Sequence, residues 1–253
     1  QLTQIYLNNT DWPGNNIKFW STVNGNPWRW ILFDTDFGFD GSDYGYNTLA
    51  FALETNGPDW PNPPWSTLLF RRMVSNPGFR INFINQYCDR LNVDFHPDRV
   101  NADLDSLRAL YYTDMEYHFA RWWGSYPEWE GRIANRRTFG QRRPALARLH
   151  MQEQFSLGDQ LSVKIDVSDH RMGKVKVNTV FPYSYPFNGI YFRDVPITLK
   201  AVPEAGYKFV RWEGYVISTE RTLYYNMADA GSFKAVFEAA NPEDVSIVIN
   251  EIN

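Results

Sequence analysis

The 253-residue sequence contains a single cysteine, Cys88, which excludes an internal disulfide and any cysteine-based metal cage. Its four histidines are scattered, and none forms a metal-spaced pair with another. No apolar run approaches the roughly 20 residues of a membrane-spanning helix. The net charge of −4 gives no overall basic excess for binding nucleic acid. The sequence therefore predicts a packed globular protein with neither a nucleic-acid partner nor a membrane span.

Aromatic residues are abundant, at 17% of the chain, with ten Trp and fifteen Tyr. One core rarely takes up so many rings, so some of them are expected to line grooves or a surface between domains. Ordinary packing in a core is the alternative. Two interpretations remain for four of the tryptophans, packing between helices or an aromatic platform for sugars: Trp60, Trp65, Trp122 and Trp123. Cys88 lies in an apolar helical stretch and is expected to be buried as a small hydrophobic residue.

The hydrophobic period changes near residue 158. Apolar residues at three- and four-residue spacing predict helices over 66–73, 79–91, 100–122 and 129–155. Alternating patterns predict short strands over 161–167, 174–178, 195–201, 207–212 and 233–237. The expected fold class is α+β, with a mainly helical domain over 1–157, a small sandwich-like β domain over 158–240, and a linker with the start of a further β domain over 241–253.

Two finer expectations concern the helical part. One apolar stripe is interpreted as core, and it comprises Leu104, Leu107, Leu110, Tyr111, Met115 and His118 or Phe119. Arg142 and Arg143 are interpreted either as exposed helix residues in surface ion pairs or as a site for a phosphorylated partner. Before the helices, turn residues at 23–27 separate two short apolar segments, which predicts a β-hairpin that ends at Asp34.

Asp11 and Asn16, five residues apart, are the first candidate site residues. Phosphoryl transfer requires an acid that orients the attacking hydroxyl and an amide, a few residues later, that holds a metal against the phosphates. Ordinary loops have the same composition, so this spacing alone leaves both interpretations open.

Asp34 and Asp36 follow the predicted hairpin and strengthen the first interpretation. Side chains two residues apart in a strand point to the same side. Two carboxylates packed so closely repel each other unless a cation neutralises them, and a hard divalent ion such as Mg²⁺ is suited to that role. The order of acid, amide, hairpin and acid is that of the metal-binding half of a kinase site. Before Asp11 there is neither a glycine-rich phosphate loop nor a strand lysine with a helical glutamate partner, so half of such a site is missing.

The segments Asn9–Asn16 and Trp28–Phe39 resemble the core of the CotH (spore coat protein H) family of atypical secreted protein kinases. The resemblance covers about residues 1–157 and implies that the N-terminal lobe, which binds ATP in this family, lies upstream of Gln1. It assigns Asp11 to the catalytic-loop aspartate, and Asn16 and Asp34 to positions that bind Mg²⁺ or Mn²⁺ together with ATP as substrate. Asp34 is preferred to Asp36 because it matches the first acid of the family's Asp-x-Asp pair, and Asp36 is a second-metal candidate.

Two further segments resemble modules of bacterial surface proteins. Residues 197–201, 206–209, 212–214 and 233–237 are similar to a divergent internalin-type B-repeat. The terminal segment 249–253 is similar to the first strand of a lamin-tail domain. The expected function is therefore that of a fragment of a secreted or cell-surface bacterial kinase, inactive by itself, whose parent phosphorylates a protein hydroxyl. The alternative is a non-catalytic adhesion or scaffolding protein with a kinase-like lobe; neither the substrate nor the surface partner can be read from the sequence.

Overall fold

The computed structural model of the chain describes residues 1–58 and 60–241. Its contacts divide the chain into two compact units. One contains Gln1–Tyr87 with Asp94–Leu157, and the other contains Cys88–Val93 with the chain from Gly158 onward. Helices dominate the first unit and strands the second, which confirms the predicted α+β class. The predicted lamin-tail strand at 249–253 lies outside the described residues.

The first unit begins with the elements that carry the candidate site and continues as a series of helices. The short elements are α1 (Leu2–Leu7), β1 (Lys18–Trp20), β2 (Arg29–Ile31) and α2 (Thr48–Phe51). The remaining helices are α3 (Leu68–Val74), α4 (Pro77–Asn92), α5 (Pro97–Tyr111), α6 (Met115–Trp122) and α7 (Tyr126–Phe155). Strands β1 and β2 pair antiparallel as predicted, with Phe19 opposite Trp30.

Helix α7 supplies one side of the core of this unit. It begins with a capping box, in which the Ser125 hydroxyl accepts from the Glu128 N–H and donates to the Glu128 carboxylate. Its buried positions recur every three or four residues, the spacing of one helix face, and include Phe139, Arg143, Ala147 and Met151. Phe139 packs edge-on against the buried ring of Tyr6 in α1.

The predicted helix over 100–122 is divided into α5 and α6, and its apolar stripe is not core. Helix α5 has no buried residue, and the exposed fraction of Leu110 is 65%. The contacts between α5 and α7 are partly polar, because Arg108 forms an ion pair with Glu130 and Asp105 with Arg137. A periodic apolar pattern predicts a helix face, but it does not establish that another element covers that face.

The second unit consists of two sheets. The first has the order β5 (Phe187–Phe192), β3 (Gln160–Val167), β9 (Gly231–Ala239) and β7 (Tyr207–Gly214), with β3 and β9 parallel. The second sheet is antiparallel and has the order β4 (Gly173–Val177), β6 (Ile197–Pro203) and β8 (Thr222–Tyr225). Alternate residues are buried along β4 and β9, as expected for strands with one face in a core.

Two of these strands were not predicted, β5 and β8. Strand β5 contains Asn188 and Gly189, residues with low strand propensity. Strand β8 has only four residues, and none of them is fully buried. Such short or weakly patterned segments become strands because neighbouring strands pair with them. Among the described residues, no helix is long and apolar enough to cross a membrane.

Candidate active site

Asp11 lies in the loop between α1 and β1, and local turn chemistry fixes its backbone. Helix α1 ends at Asn8, whose left-handed conformation (φ 62°) lets its N–H bond back to the last helical carbonyls. The Asp11 N–H donates to the Asn9 side-chain oxygen at 2.9 Å, which forms an Asx turn two residues long. Only 9% of Asp11 is exposed. The aspartate is therefore held in a defined position before any ligand binds.

Two amides hold the Asp11 carboxylate. The Asn16 Nδ2 donates to Asp11 Oδ2 at 2.8 Å, and the Asn15 Nδ2 donates to both carboxylate oxygens at 3.1 Å. Asn16 adopts a left-handed backbone (φ 50°), which asparagine tolerates better than most residues. The structure thus brings Asp11 and Asn16 together as the five-residue spacing suggested. Asn15, one residue before Asn16, has a role that was not predicted.

Asn9 connects this loop to Asp34. Its side-chain oxygen accepts from Asp11, while its Nδ2 donates to the Asp34 backbone carbonyl at 3.2 Å and to the Gln4 side chain at 2.9 Å. Asn9 is fully buried, and Asp34 follows β2 in a left-handed conformation (φ 51°). One buried amide therefore bonds to the backbones of both candidate acids. The only local signal for this role is that Asn9 lies two residues before Asp11, which is the spacing of an Asx turn.

Asp34 and Asp36 lie next to each other after β2, but not on one face of a strand as predicted, because β2 ends at Ile31 and Asp34 has a left-handed backbone (φ 51°). A hydrogen bond with the Asp36 carboxyl is the main cause that raises the pKa of Asp34 above its usual value. Partial desolvation and the negative charges of Asp36 and Asp11 act in the same direction, and the ammonium of Lys18 opposes them. Three carboxylates therefore act on one another electrostatically around Asp34. Such a cluster favours protons or a cation.

The residues present are chemically suited to a magnesium ion. Among the described residues, no group of three or more His, Cys, Asp or Glu side chains is arranged to hold a metal. Magnesium, however, commonly binds through one or two carboxylates together with water and substrate phosphates, rather than in an all-protein cage. Asn16, Asp34 and Asp36 offer the hard oxygen atoms that such a partly open site requires.

Arg143 fixes the elements on both sides of the site. It is fully buried in α7 and donates to the carbonyls of Ile5 and Tyr6 at the end of α1, and to those of Tyr44 and Tyr46 in the segment after Asp36. The interpretation of Arg143 as an exposed residue in a surface ion pair was therefore wrong. Its distant partners leave no signal in the local sequence.

Two cavities adjoin the candidate residues. One of about 170 Å³ is lined by Asn16 together with Trp12, Trp30, Ile31 and Leu32, among others. A second, of about 240 Å³, includes Asp11 in its lining. Asn16 and Asp11 thus each border a cavity.

Two models of known protein families match the chain. The model of the CotH kinase protein family matches residues 2–146, and that of the divergent InlB B-repeat domain matches residues 188–241. No curated protein and no solved structure gave a significant match. The CotH match spans more than half of the chain and contains Asp11, Asn16, Asp34 and Asp36. The chain belongs to the CotH kinase family.

Proposed function

We propose that this chain carries the catalytic and metal-binding half of a kinase site that transfers the γ-phosphoryl group of ATP to a protein hydroxyl. Asp11 accepts a hydrogen bond from the acceptor hydroxyl and orients it toward the phosphorus. The Asn16 amide oxygen and the Asp34 carboxylate are the metal ligands, and Asp36 is the candidate for a second ion. A Mg²⁺ ion held by Asn16 and Asp34 would neutralise the negative charge on the phosphoryl group that is transferred.

One observation carries this proposal: the buried Asn9 bonds to the backbones of Asp11 and Asp34, while Asn16 bonds to the Asp11 carboxylate. Catalysis of phosphoryl transfer depends mainly on positioning and electrostatic stabilisation, and a misplacement of about 1 Å can lower a rate about 10²-fold. An ordinary loop that happens to contain acids has no need for a buried amide between them. The network therefore favours a preorganised site.

The metal part of the proposal is tested by Mn²⁺ binding, measured from the loss of the free Mn²⁺ signal in electron paramagnetic resonance. Each value is corrected with a protein-free sample at the same ATP concentration, because ATP itself chelates Mn²⁺. We expect the chain to bind Mn²⁺ more tightly in the presence of ATP, and Asp34→Asn to weaken that binding at least about tenfold. Asp40→Asn is the control, because Asp40 is likewise an exposed acid, lies six residues away, and has its own partners in Ser42 and, at 4.0 Å, Arg136. Equal binding by the Asp34→Asn and control variants would remove Asp34 from the metal site.

We further propose that the protein acts at the bacterial cell surface or after secretion, and the InlB B-repeat match over 188–241 supports this location. A non-catalytic scaffold is the second candidate function, favoured by the exposed indoles of Trp60, Trp65, Trp122 and Trp123. The Mn²⁺ experiment separates the two candidates, since a scaffold has no need for a metal site that responds to ATP.

A further inference from the structure

The cavity of about 240 Å³ beside Asp11 has an apolar lining. Apart from the loop residues Thr10 and Asp11, it is lined by Phe37, Phe51, Pro58, Trp60 and Pro61. Its volume is below that of pockets for drug-sized ligands, and it suits a single large side chain. The Asp11 carboxylate at the edge of this cavity can accept a hydrogen bond from a hydroxyl, and the apolar cavity itself can hold a hydrophobic group next to that hydroxyl.

Two rings at this cavity are unusually exposed for their size. The exposed fraction is 61% for Phe37 and 65% for Trp60. Covering apolar surface of this kind is favourable at roughly 25 cal/mol per Å², so a ligand that covers both rings gains affinity from them. Phe37 follows Asp36 directly in the chain, so this ring borders the cavity next to the candidate acid for a second metal ion.

The wall formed by Pro58, Trp60 and Pro61 is attached firmly to the Asp11 loop. The Gly14 N–H donates to the Pro61 carbonyl at 2.6 Å. A Cβ atom at Gly14 would lie 2.4 Å from that same oxygen, so only glycine permits the approach. This contact fixes the distance between the wall and the catalytic candidate.

A buried amide supports the same wall from below. Asn62 is fully buried, donates to the Phe51 carbonyl at 2.6 Å and accepts from the Ser66 hydroxyl at 2.9 Å. The backbone next to Phe37 is fixed as well, because the Phe39 N–H donates to the Leu7 carbonyl at 2.6 Å. A cavity whose walls are held in this way loses little conformational entropy when it binds a ligand.

We propose that this cavity binds a bulky apolar side chain of a peptide, next in the chain to the residue that carries the accepting hydroxyl. The inference rests on the proposed role of Asp11. A general base must lie within about 3 Å of the hydroxyl it orients. Asp11 lies in the lining of the cavity, so an apolar side chain bound there brings the neighbouring residue of the peptide, with its hydroxyl, close to Asp11. The alternative occupant is the ring of a tyrosine that is itself the acceptor.

Binding of matched peptides to the whole chain tests this inference without any transfer reaction. Two peptides carry a central serine followed by phenylalanine or by alanine, and a third carries tyrosine as its only hydroxyl. Ligand-observed saturation-transfer NMR measures their affinities for the wild type, Trp60→Ala and Trp65→Ala. Trp65 is a matched control, because its exposed fraction of 63% is close to that of Trp60 and it does not line the cavity.

We expect the phenylalanine peptide to bind at least about tenfold more tightly than the alanine peptide. Trp60→Ala should abolish that preference, while Trp65→Ala keeps it. Equal binding of the two serine peptides, or equal effects of the two tryptophan variants, would overturn the inference. Tighter binding of the tyrosine peptide than of the phenylalanine peptide would also overturn the inference, because the cavity would then hold the ring of the acceptor residue itself. If phosphoryl transfer fails while the peptide preference holds, the proposed function is wrong and the cavity still binds apolar side chains.

Discussion

Arg143 shows how much one side chain contributes to the position of the candidate site. Its guanidinium donates to four backbone carbonyls and, at 3.3 Å, to the hydroxyl of Thr48. Burial lowers the pKa of Arg143, yet an arginine remains charged in proteins. The charge is accommodated because planar N–H groups reach carbonyls on two separate segments at once.

Arg143→Met should therefore destabilise the first unit by about 3 kcal/mol or more, because it leaves several carbonyls without their charged donor. Chemical denaturation followed by circular dichroism measures this loss. Arg142→Met is the matched control, since Arg142 is the exposed residue before it and should cost no more than about 0.5 kcal/mol. Equal effects of the two substitutions would contradict the structural role of Arg143.

The candidate acids could be predicted from the sequence, but the residues that position them could not. Asp11 and Asn16 are five residues apart, and Asp34 and Asp36 follow a hairpin, so local spacing indicates both pairs. Asn9 instead bonds to a residue 25 positions away, and Arg143 to one 137 positions away. Contacts over such separations arise from the packing of elements, and no local pattern encodes them.

At the scale of elements, the sequence predicted the type of most helices and strands, and it failed where the outcome depended on a neighbour. The stripe on α5 and α6 has the period of a buried face, yet Leu107, Leu110 and Tyr111 are all at least half exposed. Strands β5 and β8 have weak patterns and exist because they pair with β3 and β6. The hydrophobic period is a property of one helix or strand, whereas burial also depends on the element that packs against it.

The last turn of α4 provides a polar anchor within the second unit. The Asp89 carboxylate is fully buried and accepts hydrogen bonds from Asn178, from the N–H and hydroxyl of Thr179, and from the Tyr191 hydroxyl. Burial raises the pKa of Asp89 above its usual value, and these donors only partly offset the effect. The same burial raises the pKa of the Tyr191 hydroxyl.

This raised pKa predicts how stability depends on pH. The folded state binds the Asp89 proton more tightly than the unfolded state, so the stability that this proton provides is present at low pH and is lost as the pH rises through the folded pKa. Asp89→Asn removes the titration. We expect the melting temperature of the wild type to fall relative to that of this variant as the pH rises from 3.8 upward. A difference in melting temperature that stays constant with pH would contradict the prediction.

For the whole molecule, a single boundary along the chain cannot describe the two units, because Cys88–Val93 belongs with the chain from Gly158 onward. The predicted boundaries of the domains remain predictions. The matches to two family models, one at 2–146 and one at 188–241, confirm the suspected architecture of a CotH kinase part followed by a B-repeat. The central claim is the proposal that Asp11, Asn16 and Asp34, in the first of these, form one site. The buried Asn9 amide bonds to the backbones of Asp11 and Asp34, and the Asn16 amide bonds to the Asp11 carboxylate.

Transfer of labelled phosphate from ATP to a protein acceptor, measured with the natural full-length protein, tests that claim most directly. Asp11→Asn should reduce the transfer rate by a factor of about 10² to 10⁴, because the amide cannot accept the proton of the hydroxyl. Asp40→Asn, with an exposed acid outside the site, should leave the rate unchanged. Transfer that persists at the wild-type rate in Asp11→Asn would contradict the account.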